Sequence, residues 1–313
     1  MMRYFIAIAV CMMCFANAEA QQWPRRTQFM VNPYLANPAA AGISRDIPIY
    51  TTYRSQWNSL SVHPQTFYLS AQKNIPGGFG AGILLTNDQT GAYSNTSLEL
   101  TGAFHANINR TQTVSFGLGL IGTQHVFSLS EANVVDPNDV ALNNGQQQTG
   151  YAINANAGIF VSGKKYFVGI SVPYFFNTKM NFTGKSDLQR DVRHFQLMGT
   201  HAFKLTKEWE LSPGFMLRLT GNTPPQIELN AMLNYERSLY GGFTYRPGDS
   251  WAAILGWRFE GYSLWYSYDL TTGKAHQLAL STHEITIGYN LKGRRGFKPG
   301  SVGSGPRKTM LTM

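Results

Sequence analysis

Leu211-Ser212-Pro213-Gly214-Phe215-Met216-Leu217-Arg218-Leu219-Thr220 carries its greasy side chains on one parity, with Leu211, Pro213, Phe215, Leu217 and Leu219 at every second position. In an extended strand these five stand on one face, and Arg218 stands on the other. An arginine facing lipid at mid-membrane costs about 2–4 kcal/mol in a barrel. The apolar parity therefore faces lipid, and Arg218 faces inward. From the end of the first 20 residues to about residue 291 the chain repeats this kind of stretch, each roughly ten residues long and closed by a turn signal. No apolar run there is long enough for a membrane helix. The pattern is that of a wall with hydrocarbon outside and water or polar side chains inside: an all-β, transmembrane antiparallel β-barrel.

About fourteen strands are expected, near residues 48–57, 65–75, 78–87, 95–106, 112–124, 150–162, 165–173, 194–205, 209–220, 226–237, 238–246, 250–260, 261–271 and 281–291. Their connectors separate into two kinds. Even-to-odd connections are tight: Pro76-Gly77-Gly78, Ile108-Asn109-Arg110, Ser162-Gly163-Lys164, Thr206-Lys207, Glu236-Arg237 and Glu260-Gly261. Odd-to-even connections are mostly longer, including Ser128 to Thr149 and Tyr174 to Arg193, with shorter ones near Gly91, Pro224-Pro225, Pro247-Gly248 and Gly273. Bacterial barrels place short turns in the periplasm and long loops outside, and an even strand number returns both termini to the periplasm.

The first twenty residues supply the address. Met1 to Ala20 has one early charge, Arg3, an apolar core from Tyr4 to Phe15, and Ala18-Glu19-Ala20, the small-residue cleavage pattern of a secretory signal peptide. Cleavage after Ala20 leaves Gln21 as the first residue and removes Cys11 and Cys14. Neither cysteine sits in a lipidation context, and the mature chain then has no thiol or disulfide framework. Residues 21–47 form an N-terminal periplasmic segment with Asn-Pro motifs, 48–291 the outer-membrane barrel, and 292–313 a basic C-terminal periplasmic tail.

Composition fits a barrel better than its average hydropathy does. A hydrophobic content of 43% and a mean hydropathy of −0.20 look like those of a soluble protein. Yet 31 Gly, 19 Phe, 16 Tyr and 6 Trp suit strands with a small-residue inner face and aromatic girdles. The formal charge of +9 is unevenly placed: Lys292, Arg294, Arg295, Lys298, Arg307 and Lys308 contribute six of the nine in a stretch without an acidic residue. The barrel itself is close to neutral.

Strand parity also sorts the remaining charges. Glu228, between Ile227 and Leu229, and Arg258, between Trp257 and Phe259, point inward, and so do Glu99, Asp269 and Glu284. With Arg54 and Arg218 they form a candidate lumen network of both signs, which suits a cross-linked, plugged interior more than an open pore. Arg54 with Trp57 reads either as a latch or gate, or as an inward charge satisfied by Glu99 or Glu284 beside a girdle tryptophan. The repeats Asn32-Pro33 and Asn37-Pro38 read either as a partner-docking segment or as two turns that plug or cap the periplasmic mouth.

Catalysis finds no constellation. His105, His125, His201 and His283 sit on different strands, and His283 and Glu284, as strand neighbours, point to opposite faces. Gly77, Gly78, Gly80 and Gly82 echo a phosphate loop, but no helix follows to present its N-terminus. Asp136-Pro137-Asn138-Asp139 and Asp88 lack the spacing of a calcium loop. No enzyme activity, metal or cofactor is expected, and the compartment excludes nucleic acid.

Several motifs resemble one family. Phe29-Met30-Val31-Asn32-Pro33-Tyr34-Leu35-Ala36-Asn37-Pro38-Ala39-Ala40-Ala41-Gly42 resembles the N-terminal signature of the PorP/SprF outer-membrane proteins of Bacteroidetes. In register follow Tyr53-Arg54-Ser55-Gln56-Trp57 with Pro64-Gln65-Thr66, then Gly82-Ile83-Leu84-Leu85-Thr86-Asn87-Asp88 with Gly91, and Tyr166-Phe167-Val168-Gly169-Ile170-Ser171-Val172-Pro173. Tyr245-Arg246-Pro247-Gly248-Asp249, Trp265-Tyr266-Ser267-Tyr268-Asp269 and His283-Glu284-Ile285-Thr286-Ile287-Gly288-Tyr289 are similar to the last strands. The similarity spans roughly residues 27 to 291, and the tail beyond Asn290 departs from it.

The resemblance implies a non-enzymatic part in the type IX protein secretion system and the gliding motility machinery. It also implies work in a protein complex beside periplasmic ring or peptidoglycan-associated lipoproteins, or the holding of secreted surface proteins at the outer membrane. Asn32, Pro33, Asn37 and Pro38 are candidate partner contacts on this reading. So are Arg294, Arg295 and Lys298 of the tail, which with Arg25 and Arg26 make either a salt-sensitive dock for an acidic partner or peptidoglycan, or a solvated end. The alternative class is a porin-like or hydrophobic-substrate transport channel, which shares the strand pattern.

Overall fold

A computed structural model describes residues 26–128, 148–176, 178, 181–182, 192–221, 223–273 and 281–292. Its one sheet has sixteen hydrogen-bonded pieces, of which fourteen strands close into an antiparallel barrel. In chain order these are β1 (Ile47–Ser55), β2 (Gln65–Ile75), β3 (Phe79–Thr90), β4 (Tyr93–Asn107), β5 (Thr113–Phe127), β6 (Gln148–Ser162) and β7 (Tyr166–Val172). Then come β8 (His194–His201, continued by Phe203–Lys204), β9 (Trp209–Thr220), β10 (Thr223–Tyr235), β11 (Leu239–Arg246), β12 (Ser250–Phe259), β13 (Tyr262–Thr271) and β14 (Ser281–Leu291). The remaining piece, Asn181–Phe182, pairs with Gly150 and Tyr151 of β6. Each strand pairs with its sequence neighbour, and β14 returns to β1 with Glu284 opposite Arg54. Closure gives each of the fourteen described strands a neighbour on both sides, as lipid requires.

Several boundaries move for physical reasons. The first strand was expected to reach residue 57 but ends at Ser55. Trp57 adopts a left-handed φ of 60° and its N–H donates to Thr282 Oγ1 at 3.2 Å, a turn rather than a ladder position. A connection was expected near Pro224-Pro225, yet β10 begins at Thr223 and includes both prolines. The β9–β10 register shifts between Arg218 and Thr220, a bulge placed where the two prolines offer no N–H. β8 is interrupted at Ala202 for a related reason: the facing segment contains Pro213, which cannot donate. β3 and β4 run three and two residues past the expected ends at Gly91, because ladder bonds continue where the apolar alternation has stopped.

Outside, the alternation is complete in β13, where Tyr262, Leu264, Tyr266, Tyr268 and Leu270 are exposed and the five residues between and after them are buried. Aromatic rings gather at both ends of this apolar belt. At the tight-turn end Phe79 meets Phe104 at 5.4 Å, Trp209 meets Tyr235 at 4.8 Å and Tyr262 meets Tyr289 at 4.5 Å. At the opposite end Tyr245 stacks on Trp251 at 4.0 Å. Two such girdles with apolar residues between them mark the interfaces of a bilayer. No described helix is long and apolar enough to cross a membrane; the crossing elements are strands.

Inside, the barrel holds its own chain. Phe29, Tyr34, Leu35, Ala39, Ala41 and Ile43 are buried against Tyr68, Leu84, Phe160, Phe167, Met198 and Met216, while Val31 packs with Tyr50, Met232, Tyr240, Ile254 and Trp265. The hydrophobic core of this molecule is thus the packing of residues 26–44 against the inner wall. The segment runs along the lumen: Thr27 contacts residues near the long-connection ends of their strands, and Gly42 lies beside Lys73 and Gly80 at the tight-turn end. It then turns at Asp46 into β1.

Candidate functional site

The inserted segment owes its shape to its two Asn-Pro repeats. Each forms a one-turn 3-10 helix, Pro33–Leu35 and Pro38–Ala40, with asparagine before it and proline at its first position. Proline there loses an N–H that would be unsatisfied anyway. Asn37 caps the second turn, its Oδ1 accepting from the Ala39 N–H at 2.9 Å, while its Nδ2 donates to the Ile159 and Ile170 carbonyls at 3.0 Å each. Asn32 donates to Ser70 Oγ at 2.9 Å and accepts from Gln72 Nε2 at 3.0 Å. The four Asn-Pro residues proposed as partner contacts are therefore buried against the wall of their own barrel.

Wall glycines make the seat. A Cβ at Gly80 would lie 2.1 Å from the Ala41 carbonyl oxygen, at Gly117 2.2 Å from the Ala39 nitrogen, at Gly158 2.1 Å from Asn37 Oδ1, and at Gly82 2.6 Å from the Tyr34 ring. Three of these contacts are with backbone or a fully enclosed amide, which cannot give way cheaply. Gly42, with a φ of 69°, makes the exit turn with no room for a side chain beneath Lys73. Hydrogen bonds also tie the segment to the wall: Tyr34 donates to Thr101 Oγ1 at 3.0 Å, Ser171 Oγ to the Ala36 carbonyl at 2.7 Å, and Asn74 Nδ2 to the Gly42 carbonyl at 2.8 Å.

At the segment's start lies a chain of alternating charges. Arg218 is 3.6 Å from Glu228, Glu228 2.8 Å from Arg246, Arg246 2.8 Å from Asp269, Asp269 3.3 Å from Arg54, and Arg54 2.8 Å from Glu284. Three arginines balance three carboxylates, as burial requires. The chain spans β9, β10, β11, β13, β14 and β1, including the seam that closes the barrel. Thr27 sits in its middle. Its hydroxyl donates to Asp269 at 2.8 Å and accepts from Arg54 Nη1 at 3.0 Å and Arg246 Nη2 at 2.8 Å. The Thr27 and Gln28 backbone N–H groups take the two oxygens of Glu284 at 3.0 and 3.1 Å. The same carboxylates that staple the wall thus hold the inserted chain.

Five of the seven lumen charges expected from parity, Arg54, Arg218, Glu228, Asp269 and Glu284, meet in this network. Glu99 does not: it accepts from Thr101 Oγ1 at 2.8 Å and from Asn156 Nδ2 at 3.4 Å. Arg258 lies apart, its guanidinium 5.5 Å from the Tyr240 ring. Arg54 takes Glu284 and Asp269 and not Glu99. Two members went unnoticed in the sequence. Arg246 shares the inward parity that Phe243 and Tyr245 define, so alternation finds it; Thr27 precedes any strand and carries no such signal. Arg294, Arg295 and Lys298, with Arg25, the signal segment and the acidic loop at 136–139, lie outside the described residues. Among the described residues no cluster suits a metal ion, and Asp88 accepts from Thr66 Oγ1 at 2.6 Å.

Several solved barrels are similar to this chain at low identity. A FadL homologue of Pseudomonas aeruginosa gives a TM-score of 0.49 at 10% identity, covering 87% of this chain and 96% of that one. The toluene transporter TodX of Pseudomonas putida gives 0.46 at 10%, covering 87% and 95%. The outer membrane protein Omp33 of Acinetobacter baumannii gives 0.45 at 5%, covering 79% and 99%. No curated protein matches the chain. The family model of the type IX secretion system membrane protein PorP/SprF matches residues 18–289, which takes in the inserted segment, the charge chain and all but the last two residues of β14. The chain belongs to the PorP/SprF family of type IX secretion system membrane proteins.

Proposed function

We propose that this protein is a non-enzymatic barrel that anchors periplasmic secretion machinery to the outer membrane, with its lumen held shut to cargo by residues 26–44. Family and fold make it an outer-membrane component of type IX secretion; the anchoring role, the removal of residues 1–20 and the periplasmic placement of the tight turns belong to the proposal. The observation that carries it is the self-filled lumen. A route for cargo would have to displace a segment seated on glycines and tied to a charge-balanced network. An anchor needs only a rigid wall and faces for its partners: ring or peptidoglycan-associated lipoproteins on the tight-turn side and secreted surface proteins on the other.

Purification from the native envelope in gentle detergent, with identification of the proteins that accompany the barrel, is the test. Recovery of periplasmic lipoproteins of the secretion machinery, and loss of export of many surface proteins on deletion, are the expected results. A barrel that purifies alone and conducts a steady current in planar bilayers would be a transport channel instead. Loss of one surface adhesin alone would restrict the role to tethering that cargo.

A further inference from the structure

The tight-turn rim is charged unevenly. Three consecutive turns, joining β4 to β5, β6 to β7 and β8 to β9, expose Arg110, Lys164, Lys165, Lys204 and Lys207 against two carboxylates, Glu208 and the half-buried Glu210 that lies opposite Lys204 in the ladder. None of the five takes part in an ion pair among the described residues. The tight turns of the opposite sector carry Glu236, Arg237 and Glu260, with no net excess of positive charge. Two of the three basic turns are also apolar at their tips: Ile108 is 60% exposed beside Arg110, and Leu205 is 58% exposed between Lys204 and Lys207. Immediately along the same strands, toward mid-barrel, stand the girdle rings of Phe104, Tyr166 and His201, with Tyr166 and His201 stacked at 6.3 Å.

We propose that this crescent binds the phosphate-bearing headgroups of anionic phospholipid in the leaflet that the tight turns enter. A purely ionic protein dock has no use for Ile108 and Leu205 in water, whereas a bilayer interface takes the apolar tip and the aromatic ring into its acyl boundary and leaves the ammonium and guanidinium groups at phosphate level. The lipid is held on the β4–β9 sector, and the β10–β14 sector stays free for protein contact. The proposal needs the barrel to cross a bilayer but does not depend on the anchoring role.

The test uses the full chain in nanodiscs of phosphatidylcholine and phosphatidylglycerol in equal parts, with the lipids retained on the released barrel counted by native mass spectrometry. The parent barrel is expected to retain phosphatidylglycerol over phosphatidylcholine, less so as sodium chloride is added. Lys164→Gln/Lys165→Gln/Lys204→Gln/Lys207→Gln should weaken that preference by about fivefold per charge removed at low salt, and Arg237→Gln should leave it intact. Unchanged mobility on unheated gels checks that each variant is folded. Should the fourfold variant not fold, Lys164→Gln/Lys165→Gln is read in the same way with a smaller loss. Equal enrichment in parent and variant overturns the proposal. So does loss of a co-purifying protein with lipid enrichment unchanged, which would assign the crescent to an acidic partner.

Discussion

Thr27 is the smallest contributor to the lumen network and the one on which the inserted segment hangs. Replacing it with valine keeps its volume and removes a hydroxyl that serves one carboxylate and two guanidinium groups. We expect Thr27→Val to loosen the segment by about 1–3 kcal/mol, seen as faster proteolysis of the N-terminal residues with the barrel's melting point nearly unchanged. Asp269→Asn acts on the wall itself, because it unbalances Arg54 and Arg246 together; a loss of about 3–5 kcal/mol should appear as a lower temperature of gel mobility shift. A drop of equal size in both variants would mean that wall and segment are one cooperative unit. Gly117→Ala and Gly122→Ala make a second pair. The first puts a Cβ 2.2 Å from the Ala39 nitrogen, the second meets nothing within 4 Å. The first is therefore expected to expel or shift the segment and raise single-channel conductance, and the second to behave as the parent. At this scale, what sequence reveals follows from whether a residue sits on a strand. Arg54, Arg218, Glu228 and Glu284 were legible because their neighbours fix which way they point; Thr27 and the seat glycines were not, since their roles appear only when residues 26–44 are laid against them.

At the level of the strands, lipid made the pattern legible, because hydrocarbon demands an apolar residue at every second position. Where that demand ends, so does the signal. Asn87 and Gln89 lie on the outward parity of β3 yet are polar, so the strand reads as finished while its ladder with β4 continues to Thr90. Proline misleads in the opposite direction: Pro224 and Pro225 read as a turn but are strand residues beside a bulge. The two faces predict unlike responses to the same side chain. Leu264 is exposed on the lipid face of β13 with Ser263 and Trp265 buried beside it. Leu264→Arg should destabilise the barrel by about 2–4 kcal/mol, measured by denaturant unfolding from lipid vesicles and followed by tryptophan fluorescence. A neutral result would mean that this stretch of β13 faces a partner or water rather than hydrocarbon.

The whole molecule is a barrel whose core is its own N-terminal segment, threaded from the long-connection end, where Thr27 is held, to the tight-turn end, where Gly42 exits. Sequence alone left two readings of the Asn-Pro repeats open, a docking segment and turns filling the barrel mouth, because turn chemistry is the same in both. The structure has Asn32 within hydrogen-bonding reach of the wall, 2.9 Å from Ser70 Oγ, and the chain beyond residue 20 contains no cysteine. Asn32→Cys/Ser70→Cys with a short bifunctional thiol reagent can therefore fix the segment to β2 without a competing thiol. If the barrel acts as an anchor with a permanent filling, cells carrying the cross-linked form should export surface proteins at the parental rate, since nothing in the lumen has to move. If export stops on cross-linking with a cleavable reagent and resumes when a reductant cuts the link, the segment must leave its glycine seat during secretion. The lumen charges would then work as a release latch rather than as a staple, because withdrawing Thr27 and Gln28 frees Glu284 and Asp269 for whatever enters next.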